Sequence, residues 1–182
     1  MLGNETQSME AKVAGGATIP SLGFGTYQLY GDECAQAVRD ALEMGYRHLD
    51  TAELYDNHRA VGRGIDESTV DREDVFLTTK VWKTSLKPIH GPNRSVPIPE
   101  TIRAMNELQR TGAVRHIGVS NFSVSQLRTA QDASQTPIVT NQVEYHPRKR
   151  QDALLEVVLE EDLLLTAYSP LAKGALVDEP RL

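Results

Sequence analysis

Three side chains with complementary acid–base chemistry recur at related places in this chain: the carboxylate of Asp50, the phenol of Tyr55 and the ammonium of Lys80. Asp50 and Tyr55 share the stretch Tyr46-Arg-His-Leu-Asp-Thr-Ala-Glu-Leu-Tyr55. It reads as a strand, His48 to Ala52, that runs into a loop carrying Tyr55. The next apolar strand, Val75 to Val81, delivers Lys80 at the matching place. In a parallel α/β architecture the carboxyl ends of the strands form the rim on which sites are built. A phenol there is a candidate proton donor, but with a pKa of about 10 it is a weak acid at neutral pH. A neighbouring cation stabilises its phenolate. The expectation is that Asp50 holds the Lys80 ammonium and that the ammonium tunes Tyr55.

The elements that must position these groups alternate in type. Ala11 to Pro20 reads as a hairpin with Gly15-Gly16 as its turn, and Gly23-Phe-Gly-Thr-Tyr27 as a first sheet strand. Asp32 is placed to cap a helix through about Met44, with Ala37, Val38, Ala41 and Leu42 inward and Gly45 ending it. A short helix from His58 to Ile65 separates the Asp50 strand from the Lys80 strand. Strand, helix, strand, helix, strand implies a parallel sheet. The rhythm returns later with a helix from Pro99 to Arg110, its Ile102, Met105 and Leu108 inward. Then come strand His116–Ser120, helix Val124–Ala133 and strand Ile138–Glu144. Helix Gln151–Asp162 follows, with Ala153, Leu154, Val157 and Val158 on its buried face, and strand Leu163–Tyr168 closes the series.

Between Val81 and the pair Ile89-His90 stand only seven residues, Trp82 to Pro88. A strand–helix–strand crossover needs at least about 10–12. Lys87-Pro88 also makes a poor central strand, because proline cannot donate to the ladder.

Six stretches, in order, resemble the aldo-keto reductase family: His48-Leu-Asp-Thr-Ala-Glu-Leu-Tyr55, Thr78-Thr-Lys-Val-Trp82, Ile89-His90, Gly118-Val-Ser-Asn-Phe122, Asn141-Gln-Val-Glu-Tyr-His-Pro147 and Thr166-Ala-Tyr-Ser-Pro-Leu171. The resemblance runs from Gly23 to about Gly174. It implies an α/β fold of the (β/α)8 TIM-barrel type. Here that barrel is expected to be incomplete, short of about one helix and most of a strand after residue 82 and of the last strand and helices. Residues 1–182 are expected to form one barrel domain with 1–10 as a tail. The implied activity is NADPH-dependent reduction of a small aldehyde or ketone to an alcohol. Position by position, Asp50, Tyr55, Lys80 and His90 match the family's catalytic tetrad, with His90 orienting the carbonyl. The family usually has a tryptophan between this histidine and the following proline; here Gly91 stands before Pro92. Ser120, Asn121 and Gln142 are assigned to the nicotinamide carboxamide and Tyr168 to its ring. Ser169 and Leu171 are assigned to the pyrophosphate, with Gly25, Thr26, Tyr27 and Asp50 bordering the cofactor. Tyr27, Trp82 and His90 face the substrate. The family's Lys-Ser pair and later Arg and Asn, which grip the adenine ribose phosphate, have no counterpart up to position 182, so the NADP preference comes with the resemblance. On the residues alone, Ser120-Asn121 reads equally well as the cap of the helix that follows.

Composition narrows the alternatives. Hydrophobic residues make up 40% and charged residues 24% of the 182, as in an ordinary soluble domain. A net charge of −6 argues against a nucleic-acid surface. No run approaches the roughly 20 apolar residues of a membrane span, and the polar first ten residues lack a signal-peptide core. Cys34 is the sole cysteine, which fits a reducing cytoplasm, and nothing around it marks a catalytic thiol. No Gly-x-Gly-x-x-Gly opens a βαβ unit, so a Rossmann domain is not supported. Glu144 and His146 alternate onto one side of a strand but lack a third ligand, and no metal is expected. The shortened Lys80–His90 segment supports a second expectation: a reductase-derived chain without turnover, acting as a binding module or a non-functional fragment.

Overall fold

The computed structural model describes residues 10–81 and 96–176. Trp82 and His90, together with the shortened segment around them, lie outside the described residues. Strands β1 (Ala11–Ala14) and β2 (Ala17–Pro20) pair as a hairpin. Its turn, Gly15-Gly16, has φ of 54° and 77°. Two successive positive φ values are what a tight hairpin turn demands, and glycine meets them without strain.

The first compact unit holds β3 (Gly23–Gly25), α1 (Gly31–Glu43), β4 (His48–Asp50), α2 (His58–Asp66) and β5 (Phe76–Thr78). Its sheet runs β3-β4-β5, all parallel, with Gly25, Asp50 and Thr78 level at the carboxyl ends. The strands are shorter than the sequence suggests, yet the ladder continues beyond them: Thr51 N donates to Thr78 O at 2.9 Å and Glu53 N to Lys80 O at 2.8 Å. β3 stops at Gly25 rather than Tyr27 because Thr26–Leu29 turns on itself.

The core of this unit joins Cys34, Val38 and Leu42 of α1, Leu49 of β4, Ala60, Val61 and Ile65 of α2, and Val75. Burying these side chains, at roughly 25 cal/mol per Å² of apolar surface, is the main force pressing the helices to the sheet. Asp32 does not cap α1. The cap position is Tyr30, without a side-chain bond, and Asp32 lies in the first turn, where its carboxylate suits the positive helix end and accepts from Arg63 Nη2 at 2.6 Å. Gly45 does end the helix, at φ 104°.

The second unit holds α3 (Ile98–Arg110), β6 (Ile117–Ser120), α4 (Val124–Ala133), β7 (Ile138–Glu144), α5 (Asp152–Glu160) and β8 (Leu164–Tyr168), together with residues 14–17. Its sheet is β6-β7-β8, again parallel. β7 is buried at Ile138, Val139, Asn141, Gln142 and Val143, the near-continuous burial of a parallel strand covered on both faces. Ile102 and Met105 of α3, Leu127 and Ala130 of α4, and Leu154, Val157 and Val158 of α5 complete its core.

Ala153 was expected inward and is exposed, and Ala37 of α1 is only half-buried. Each sits ~90–100° around its helix from the centre of the buried stripe, given 100° per residue. Among the described residues the strands form the hairpin and two three-stranded parallel sheets, not a closed eight-stranded barrel.

Helix α2 offers a paired test of the packing. A Cβ added at Gly64 would stand 2.5 Å from the Ala35 carbonyl oxygen and 2.7 Å from Val38 Cβ, whereas one at Gly62 would meet nothing within 4 Å. Gly64→Ala is therefore expected to cost ~1–3 kcal/mol by forcing α1 and α2 apart. Gly62→Ala is expected to stabilise by about 0.5–1 kcal/mol through helix propensity. Urea unfolding of the two variants checks both signs.

Candidate active site

Asp50, Tyr55 and Lys80 come together in the first unit. Asp50 ends β4, and Lys80 follows β5 by two residues. Parallel pairing of those strands puts Lys80 Nζ within ion-pair contact of Asp50 Oδ1. The ammonium also donates to Thr51 O at 3.2 Å. Lys80 is 6% exposed, so it depends on these partners. Residues Glu53–Tyr55 form a short 3-10 turn that leaves the Tyr55 ring 5.7 Å from Lys80 Nζ. Asp56, at φ 50°, then swings the chain into α2.

Tyr27 also packs on the Tyr55 ring, with ring centroids 5.1 Å apart and planes tilted by 57°. Thr26 is fully buried and bonds the Asp50 carbonyl oxygen through both backbone N (2.9 Å) and Oγ1 (3.2 Å). Gly25 stands level with Asp50 and is exposed, with open space where a Cβ would be.

The tuning of the phenol runs opposite to the expectation. Tyr55 is pushed up to about 12, first by burial, then by the Asp50 carboxylate and then by Tyr27. The Lys80 charge is already committed to Asp50, so it does not carry the phenol downward. The resting phenol is thus a neutral hydrogen-bond donor throughout the physiological range.

The residues expected to hold a nicotinamide gather in the second unit. Ser120, 4% exposed at the end of β6, donates through Oγ to Gln142 O at 2.9 Å. Asn121 N donates to the same oxygen at 2.9 Å, and Asn121 adopts φ 57°. Tyr168, at the end of β8, donates its hydroxyl to Asn121 Oδ1 at 3.2 Å. These groups fit a carboxamide, which needs one acceptor and a pair of donors matched, beside a flat ring that suits an aromatic neighbour. Ser120 and Asn121 are not the cap of α4: Ser123 is, in a reciprocal capping box with Gln126. That Ser-x-x-Gln signature is legible in the sequence. Ser169 has φ 51°, and Leu171 is 72% exposed.

Two asparagines buried beside the strand ends, Asn57 and Asn141, were missed. Asn57, 2% exposed, bonds Thr51, Thr26 and Leu29. Asn141, 1% exposed, bonds the backbone of Phe122 through both N–H and carbonyl. Elsewhere, the His48 ring spans Pro20 O (3.3 Å) and Thr78 Oγ1 (2.9 Å), and its burial lowers its pKa. The Cys34 thiol is pushed up, mainly by burial, and packs as core. Glu144 and His146 do meet, at 3.5 Å, but the Glu144 carboxylate also pairs with Lys149. Among the described residues no helix is long and apolar enough to cross a membrane.

Comparison with known proteins places this geometry. The family model described as Aldo/keto reductase family matches residues 21–89 and 86–181, in two blocks that meet inside the shortened segment. The glyoxal reductase of Bacillus subtilis is 37% identical over 92% of this chain and 69% of its own length. That alignment runs over 192 positions, more than the 182 residues available, so the relative carries residues this chain lacks within the matched region. The methylglyoxal reductase DkgB of Salmonella typhi is 35% identical over 89% of this chain and 71% of its own. A crystal structure of an aldo/keto reductase from Brucella melitensis superposes with a TM-score of 0.85 at 34% identity, covering 94% of this chain and 76% of that one. A Bombyx mori aldo-keto reductase solved with NADP gives a TM-score of 0.80 at 28% identity, covering 89% and 66%. The α/β fold is thus that of the aldo-keto reductase TIM barrels over about 70% of their chains.

The raised Tyr55 has a readable consequence. Between pH 10, where an unfolded phenol ionises, and pH 12, where the folded one does, the folded state holds a proton that the unfolded state has lost. Stability is therefore unaffected below pH 10 and falls through that window. Wild type is expected to lose stability relative to Tyr55→Phe from about pH 10 to about 12. Denaturant titrations of both proteins across that range check the direction.

Proposed function

The chain belongs to the aldo/keto reductase family, and we propose that it reduces small aldehydes or ketones to alcohols with NADPH, Tyr55 giving the proton. The observation that supports this most is the buried Lys80–Asp50 pair beside the Tyr55 ring at the ends of neighbouring parallel strands. The names of the relatives, glyoxal and methylglyoxal reductases, suggest small reactive carbonyls as substrates.

NADPH, when bound, supplies the hydride. Ser120, Asn121 and Gln142 are the side chains proposed to hold its carboxamide, and Tyr168 its ring. Ser169 and Leu171 would serve the pyrophosphate, and Gly25, Thr26, Tyr27 and Asp50 would border the cofactor. Tyr55 holds its proton until charge develops on the substrate oxygen and then transfers it. Asp50 and the Thr51 carbonyl hold the Lys80 ammonium in place beside the phenol. His90 is assigned to orient the carbonyl oxygen, and Tyr27 and Trp82 to wall the substrate. The setting proposed is the reducing cytoplasm, consistent with the single buried Cys34.

A second reading follows from the short Trp82–Pro88 segment and the two-block family match: a chain that keeps the fold and cofactor binding without turnover. Following NADPH oxidation with methylglyoxal separates the two. The proposal expects turnover that falls by ~10²–10⁴ in Tyr55→Phe with NADPH affinity kept. Saturable quenching of Trp82 by NADPH with no turnover in the wild type would establish the second reading.

A further inference from the structure

We propose that Asn57 is the positioning residue of the proton-donor site, its buried amide locking the Tyr27 turn and the Asp50 strand end onto the segment that carries Tyr55. This rests on the reading of Tyr55 as proton donor.

Asn57 stands two residues after Tyr55, at the cap position of α2. An asparagine before a helix is ordinarily a cap. Here its side chain makes no capping bond. Instead Oδ1 accepts from Thr51 Oγ1 at 2.8 Å, and Nδ2 donates to Thr26 O at 2.9 Å and Leu29 O at 3.0 Å. Both amide hydrogens are committed, and the group is 2% exposed. One side chain thus ties the Thr26–Leu29 turn and the residue after Asp50 to the segment that carries Tyr55.

Each of the three contacts acts on a group of the site. Thr26 and Leu29 are the ends of a four-residue turn closed by Leu29 N–H to Thr26 O at 3.2 Å. Its third residue, Gln28, adopts φ 66°, a place that ordinarily takes glycine or asparagine. Its second residue is Tyr27, the aromatic that packs on Tyr55. Asn57 fastens both carbonyls of this strained turn and so keeps Tyr27 against the phenol. Through Thr51 it fastens the residue that follows Asp50 and whose carbonyl accepts from Lys80. Loss of the amide would free Tyr27, wet the Tyr55 phenol and loosen the ammonium's second acceptor.

The test is made on the full chain as Asn57→Ala, Thr51→Val and the double variant Asn57→Ala/Gln28→Gly. Tyr55 ionisation is read from ultraviolet difference spectra against Tyr55→Phe in each background, which needs no turnover. In a cooperatively folded Asn57→Ala protein the Tyr55 midpoint is expected to fall from about 12 toward the free value. The kcat for carbonyl reduction is expected to fall ~10-fold or more while NADPH affinity changes less than about twofold. Gln28→Gly, which relaxes the turn itself, is expected to restore part of both; a residue that merely stabilised the fold would regain stability without regaining the Tyr55 midpoint. An unchanged midpoint in folded Asn57→Ala overturns the proposal. Should that variant fail to fold, Thr51→Val decides: a smaller shift in the same direction supports the proposal and none overturns it. A wild type without turnover would sink the reductase reading, while the ionisation data would still settle the role of Asn57.

Discussion

A lysine buried to 6% exposure is the constraint on which the first unit depends. An ammonium taken from water without a partner is prohibitively costly, so Lys80 can exist there only while Asp50 and the Thr51 carbonyl meet it. That requirement fixes the relative height of β4 and β5, since a shift of one residue would turn Asp50 to the other face. The observed register, His48 with Phe76, Leu49 with Leu77 and Asp50 with Thr78, is the one that satisfies it. The same register places Leu49 in the core under α1 and α2. The ion pair adds little net stability, because its desolvation cost is of the same order as its attraction. What it contributes is intolerance of any other arrangement.

The pairing also bears on what Lys80 can do for Tyr55. Burial dominates the phenol's ionisation, and the Asp50 carboxylate pushes it further the same way. A phenol at about 12 is not disqualified as a donor. The oxygen it would protonate becomes an alkoxide, whose basicity is comparable to that of hydroxide, with water at about 15.7. Transfer to such an oxygen is downhill, whereas release to neutral water is steeply uphill. A donor of this kind would give its proton only when charge has formed on the substrate, which is the selectivity that transition-state stabilisation requires.

Much of this was legible in the letters. Apolar patterning gave all five α-helices of the described residues, with α4 bounded at Val124 and Ala133 as expected, and the placement of Asp50, Tyr55 and Lys80 followed from strand order alone. What escaped is tertiary. Whether Tyr55 rises or falls depends on how deeply it is covered and on where the Lys80 charge is spent, and neither is local. Asn57 looks like a helix cap from its neighbours, while its partners Thr26 and Leu29 lie 31 and 28 residues away. Ser123 is the opposite case: its capping signature with Gln126 is local and stands in the letters.

Asn57 and Asn141 show how such a frame tolerates irregular backbone at the strand ends. A non-glycine residue in the left-handed region costs roughly 1–2 kcal/mol and persists only where surrounding bonds outweigh it. Gln28, at φ 66°, lies between the two carbonyls that Asn57 holds. Asn121, at φ 57°, immediately precedes Phe122, whose N–H and carbonyl are both taken by Asn141 at 3.3 and 2.9 Å. In each unit a side-chain amide imitates a neighbouring strand, satisfying backbone groups that the sheet ladder can no longer reach. The loops can therefore depart sharply from the strands without leaving buried polar groups unmatched. A strand-end loop anchored in this way keeps its side chains in place through the amide.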